Sequence, residues 1–120
     1  LITKSVGIIN STAPYGVSNG QESLDLALAA ANFGQDVSLF FVDDGVFQLV
    51  KSQQPLPEQG KNYSKTFPAL TFYDIDEIYV CEQSLIDRQL AKYDLCIGVT
   101  SLPHEELNVR IAQHDHLVRF

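Results

Sequence analysis

The sequence predicts an α/β fold: a single-domain three-layer sandwich, with a mostly parallel five-stranded sheet and helices on both faces. Three observations lead there. Strand-like and helix-like segments alternate five times along the chain. The strand-like segments are near-continuous apolar runs, as strands covered on both faces must be. The length, 120 residues, suits one domain over residues 1–120, burying roughly two-thirds of the surface the unfolded chain exposes.

Each element has its own signal. KSVGIIN, residues 4–10, reads as the first buried strand and runs into the turn-rich STAPYGVSNG. A helix follows over 21–33, with Leu24, Leu26, Leu28, Ala29 and Phe33 supplying its apolar side. Asn19 suits its N-cap, Glu22 can reach back in a capping box, and Gly34 suits its C-cap. VSLFFV, residues 37–42, is too short and too aromatic for a helix. Asp43-Asp44-Gly45 then turns the chain, and VFQLV allows one helical turn. A polar loop occupies 51–62, and a short helix is expected over 63–70, limited by Pro68. Next come a strand at 78–81, a helix at 85–91 opened by Ser84 with Asp87 as box partner, and a strand at 94–99. Pro103 starts a last helix, and HLVRF closes the chain as a strand.

Composition narrows the function. Hydrophobic residues make up 45% and charged residues 19%, too apolar for disorder. No apolar run approaches the ~18 residues of a membrane span. Fifteen acids against eight bases leave a net charge of −7, and the basic residues are scattered. Phosphate contacts dominate nucleic-acid affinity, so direct nucleic-acid binding is not expected. Two cysteines are too few for a secreted disulfide scaffold, which points to a reducing, cytoplasmic setting.

In parallel sheets, ligands gather beyond the carboxyl ends of the strands. That edge is expected at 11–18, 43–46, 81–84 and 100–102. Cys81 lies on it, at the junction of a strand and a helix. A thiol there can be made reactive by a helix N-terminus or nearby cations. Its neighbours in sequence oppose this, because Asp76, Glu77, Glu82 and Asp87 are acidic and only Arg88 is basic. Cys81 thus stays open between a reactive and a structural thiol, with charge favouring the structural one. Cys96, in DLCIGV, reads as a small hydrophobe inside a strand.

Other candidates have plainer readings. No His stands at metal-finger spacing from either cysteine, and His114 and His116 have no evident third ligand, so no metal is expected. His104, beside Glu105 and Glu106, suits a solvated helix face. STAPYGVSNG could donate hydrogen bonds to an anion, yet it is neither GxxxxGK[ST] nor GxGxxG. No cofactor is therefore expected. Asp43-Asp44 invites comparison with phospho-acceptor domains. Those need an acidic pair after the first strand and a Lys after the fifth; here Asn10-Ser11 and Arg119-Phe120 stand there.

STAPYG after the first strand, FFVDDGVFQLV after the second, FYDIDEIYVCEQSL around Cys81 and the closing LVRF together resemble the TusC/DsrF subunits of bacterial sulfur-relay proteins, within the DsrE-like family. The resemblance runs end to end in matching order. It implies the DsrE-like α/β sheet and membership of a TusBCD- or DsrEFH-type heterohexamer with TusB-like and TusD-like subunits. Such complexes relay persulfide sulfur, received from TusA-like and passed to TusE-like carriers, for 2-thiolation of the tRNA wobble uridine or for sulfur oxidation. The resemblance places the sulfur-carrying cysteine on the TusD/DsrE subunit. That cysteine is followed by small residues and a basic pair. Here Glu82-Gln83-Ser84 follow Cys81, and the pair is reduced to Asp87-Arg88.

The leading expectation is therefore a non-catalytic subunit of a sulfurtransferase complex, with no catalytic residue of its own and Cys81 as the only candidate. It would act through protein contacts and could form homo-oligomers when isolated. The aromatics of LFFVDDGVFQL and FPALTFYD are candidates for interfaces or for core. Two rivals remain: Cys81 is itself a persulfide carrier, or the chain is a small-molecule binding module using STAPYGVSNG and Asp44.

Overall fold

The computed structural model describes residues 4–13, 19–50, 63–91 and 94–120. Five strands form one sheet: β1 (Ser5–Asn10), β2 (Asp36–Phe41), β3 (Glu77–Cys81), β4 (Thr100–Leu102) and β5 (His116–Arg119). Their spatial order is β4-β3-β2-β1-β5, and every pairing is parallel. Between them lie helices α1 (Asn19–Asn32), α2 (Glu82–Asp87) and α3 (His104–Ala112), and two 3-10 segments, Asp43–Leu49 and Tyr63–Tyr73. Among the described residues no helix is long and apolar enough to cross a membrane.

Strand alternation sends successive side chains to opposite faces of the sheet. One face carries Ile8, Val37, Leu39, Phe41, Ile78 and Val80, packed with Leu24 and Ala27 of α1, Leu85 of α2 and Phe67 and Leu70 of the second 3-10 segment. The other carries Ile9, Phe40, Tyr79, Cys81 and Leu102, covered by Leu107 and Ile111 of α3. The predicted layers are therefore present. They differ in thickness, because the second face has one helix of 9 residues.

The helix ends follow local chemistry. Gly34 has φ +78, its N–H donates to the Ala31 carbonyl at 3.0 Å, and Gln35 N–H reaches the Ala30 carbonyl at 3.1 Å. That pair of bonds is a Schellman cap, which favours glycine at this left-handed position. At its other end α1 begins with Asn19 itself, so the cap position falls on residue 18, outside the described residues. The loop at 51–62 and most of the STAPYGVSNG turn, at 14–18, also lie outside them.

Phe33, expected on the apolar side of α1, lies past its end and is 84% exposed. Two elements depart further from expectation. Residues 94–99 are not a strand. The Asp94 carboxylate accepts the Ala91 N–H at 2.9 Å and Asp94 N–H donates back to the Ala91 carbonyl at 2.9 Å, which turns the chain. Leu95 then makes a single antiparallel bridge to Val50, and Cys96 N–H donates to the Leu49 carbonyl at 2.7 Å. The apolar run packs against the first 3-10 segment instead of joining the sheet. Pairing begins only at Thr100–Leu102, opposite Tyr79–Cys81, where a loop was expected. Cys96 is accordingly half-buried in irregular chain, packed on the larger core.

The second departure is α2. It starts at Glu82 and ends by Gln89, whose φ is +57. Ser84 does not cap it. Ser84 lies inside the helix and its hydroxyl accepts the Asp43 N–H at 2.9 Å, while Asp87 accepts the Gln83 amide at 2.7 Å. A long-range partner has won over the capping box.

Buried polar groups tie the elements together. Asn10, 2% exposed, donates from its amide to the Phe40 carbonyl at 3.3 Å and accepts the Ser23 hydroxyl. Gln48, also buried, donates to the Thr12 carbonyl at 2.9 Å. Gly45 passes so close to β1 that a Cβ there would overlap the Asn10 carbonyl. At the opposite edge, Asp115 accepts Ser5 N–H at 2.9 Å and Ser5 Oγ–H at 3.1 Å. Those bonds, with Lys4 and His116 nearby, hold its carboxyl below the ordinary aspartate range.

Candidate functional site

Each strand of a parallel sheet delivers its last residue to the same edge, so the edge gathers residues that are far apart in sequence. Here β3 leaves into α2 on the thick face, while adjacent β4 leaves into α3 on the thin face. A crevice opens where neighbouring connections diverge in this way. It is a cavity of about 230 Å³, lined by the ends of β1, β2, β3 and β5 and by α2 and α3.

Cys81 stands in its wall as the residue immediately before α2, with extended backbone at φ −72 and ψ 117. It is 4% exposed and belongs to the cluster under α3 with Phe40, Tyr79 and Leu107. Odd positions of β3 face α3, so strand parity alone sends this side chain into the thin layer. It has the surroundings of a core residue and one side open to the cavity.

The acidic collar expected from sequence is largely dispersed. Glu77 is at the far end of β3, where its carboxylate accepts the Ser38 hydroxyl at 2.6 Å, and Asp76 precedes it. Glu82 follows Cys81 but is exposed and does not line the cavity. Of the four acids, Asp87 alone lines it. Arg88 is drawn elsewhere, to Asp44, with its Nη2 3.0 Å and its Nε 3.1 Å from Oδ1. Sequence neighbours of a residue at a strand end are poor guides to its surroundings, since five residues of strand span roughly 17 Å.

Other groups arrive from a distance. Asp43, Arg119, His104 and Asn108 all line the cavity. Asp43 adopts φ +51 and gives its N–H to Ser84, which fixes the first 3-10 segment against α2. Its carboxylate lies 3.8 Å from Arg119 Nη2, with both side chains mostly exposed. Arg119 pairs in register with Ile9, which places it on the same face as Cys81. His104 opens α3, and its Nε2 lies 3.2 Å from Asn108 Nδ2, one turn along. Its solvated face was legible; its place beside Cys81 was not. A usable signal existed for Arg119 and His104: each stands at or just past the carboxyl end of a strand.

The remaining candidates sort plainly. His114 lies 2.9 Å by Nδ1 from the Arg110 carbonyl and meets Phe40 edge-on at 5.4 Å, in the turn before β5 as read. Among the described residues no cluster of three or more His, Cys, Asp or Glu could hold a metal. Asp44 is engaged with Arg88. Ser11 donates from N–H and Oγ to the Phe120 carbonyl, at 2.8 and 2.9 Å, which closes the start of the STAPYGVSNG turn onto the chain end. Leu39, Phe40, Phe41, Phe67 and Leu70 are core, whereas Phe72 is 86% exposed.

With this edge described, comparison with known proteins is direct. The family model described as the DsrE/DsrF-like family matches residues 4–120. The chain belongs to the DsrE/DsrF-like family. Curated relatives extend the match over nearly the full length. A TusC homolog of Aliivibrio fischeri is 35% identical over 115 residues, covering 96% of this chain and 98% of that one. Protein TusC of Shigella flexneri is 36% identical over 118 residues, covering 98% and 99%. Among solved structures, the ychN protein of E. coli superposes with a TM-score of 0.81 at 26% identity, covering 99% of this chain and all of that one. A protein of unknown function from Methanobacterium thermoautotrophicum shares the fold, with a TM-score of 0.62 at 18% identity. The DsrE/DsrF-like assignment agrees with the all-parallel sheet and with the TusC/DsrF resemblance of the sequence.

Proposed function

We propose that this chain is the TusC-type subunit of a cytoplasmic sulfur-relay complex, and that it works through protein contacts and not through a thiol of its own. Its partners in this reading are TusB-like and TusD-like chains in a heterohexamer, exchanging persulfide sulfur with TusA-like and TusE-like carriers. The relayed sulfur serves 2-thiolation of the tRNA wobble uridine. Support for the relay comes from full-length likeness to proteins named TusC.

One observation carries the non-catalytic part: Cys81 is 4% exposed beneath α3. Sulfur passes between proteins by attack of one thiolate on the sulfur held by another, and both must approach. A side chain in the cluster with Phe40, Tyr79 and Leu107 is open only toward the cavity, so a partner's cysteine would have to enter that cavity to meet it. The net charge of −7 also weighs against direct RNA binding.

The carrier reading keeps one point in its favour, the cavity that opens beside Cys81. Co-expression with TusB-like and TusD-like chains tests assembly. A stable complex containing all three is expected; a chain that elutes alone at every ratio refutes the assignment.

A further inference from the structure

The Cys81 cavity is graded in depth. Cys81 is 4% exposed, whereas the side chains of Asp43 and Arg119 are 64% and 61% exposed. All three line the same space, so the thiol lies at the bottom and the opposite charges at the mouth. Leu107 and Ile111 add apolar wall to it. The space, about 230 Å³, exceeds several waters at about 30 Å³ each and suits a small organic molecule.

The mouth has a particular shape of charge. Asp43 Oδ2 and Arg119 Nη2 are 3.8 Å apart, longer than a close hydrogen-bonded ion pair. An exposed pair of this kind is weak and opens readily. An anion alone would meet Arg119 but be repelled by Asp43 and Asp87, and a cation alone would meet the reverse. A group bearing an ammonium and a carboxylate on one carbon satisfies both partners together. Deeper in, Ser84 is 5% exposed and accepts the Asp43 N–H at 2.9 Å.

We propose that this cavity binds a short sulfur-bearing α-amino acid, its ammonium on Asp43, its carboxylate on Arg119 and its sulfur directed inward beside Cys81 and Ser84. Cys81 supplies a contact and no bond. A soft, polarizable sulfur suits a wall of thiol and leucine, and can accept the Ser84 hydroxyl weakly. The inference is independent of the relay reading, because the cavity belongs to the isolated chain; its failure would leave the assembly with partners untouched.

Calorimetric titration of the reduced full chain with L-cysteine tests it, beside cysteamine, which lacks the carboxylate, and mercaptopropionate, which lacks the ammonium. L-cysteine binding is expected, with each analogue about threefold weaker, as the loss of one exposed charge contact implies. Asp43→Asn, which keeps a residue tolerant of positive φ, and Arg119→Gln should each weaken L-cysteine by about the same factor. Arg88→Gln, outside the cavity, should leave it unchanged. Absence of L-cysteine binding at millimolar concentration, or analogues binding as tightly as L-cysteine, would overturn the assignment.

Discussion

The two faces of the sheet are built from the same strands, yet they have become different things. Among the described residues, fifteen buried side chains fill the face under α1, α2 and the second 3-10 segment, against six on the face under α3. Adjacent phenylalanines show the division: Phe41 meets Phe67 edge-on at 5.9 Å in the thick layer, and Phe40 stacks on Tyr79 at 5.4 Å in the thin one. The thick layer supplies stability. The thin layer, one helix deep, leaves space at the strand ends, and that space is where Cys81, His104 and Arg119 meet. An incomplete core is thus the source of the candidate site.

This difference can be pressed by mutation. The largest effect is expected for Phe41→Ala, which should cost about 3–5 kcal/mol in urea unfolding. Leu107→Ala should cost about 2 kcal/mol, the low end for a buried leucine, because the thin layer can settle into the adjoining cavity. Equal losses at the two positions would erase the distinction between the faces. Ser84→Ala removes the acceptor of the Asp43 N–H and should cost about 1 kcal/mol, since that amide can recruit water at the edge. A loss as large as that of Phe41→Ala would mean that the first 3-10 segment is docked mainly by this bond.

The smallest effect concerns the far edge. Asp115 is held below its ordinary range in the folded state, so its contribution is present above the unfolded value of about 3.9 and disappears as pH falls through the folded value. The melting temperature of Asp115→Asn should therefore lie below that of the parent chain at neutral pH and converge with it in acid. A constant gap across that range would show that the Ser5 bonds do not depend on the charge.

Much of the architecture was legible because apolar runs and punctuation agree with it. KSVGIIN and VSLFFV became neighbouring parallel strands, and Gly34 formed the expected cap. DLCIGV misled because periodicity cannot tell a strand from an apolar segment that packs beside a sheet. Ser84 misled because its long-range partner, Asp43, is 41 residues away. Of the cavity wall, Asp43, Cys81 and Ser84 fall within the strand-end segments expected from sequence. Strand and helix signals could place those residues at the edge, whereas the arrival of His104 and Arg119 depends on the strand order, which local sequence does not encode.

The central claim is that this chain contributes contacts and not a sulfur-carrying thiol. The most direct test is sulfur transfer through a complex reconstituted with TusB-like and TusD-like partners, with Cys81→Ser and Cys81→Ala in this subunit. Transfer to the acceptor at the parental rate, from complexes of unchanged composition, is the predicted result. Loss of transfer from complexes that still assemble would contradict the account and make Cys81 part of the relay.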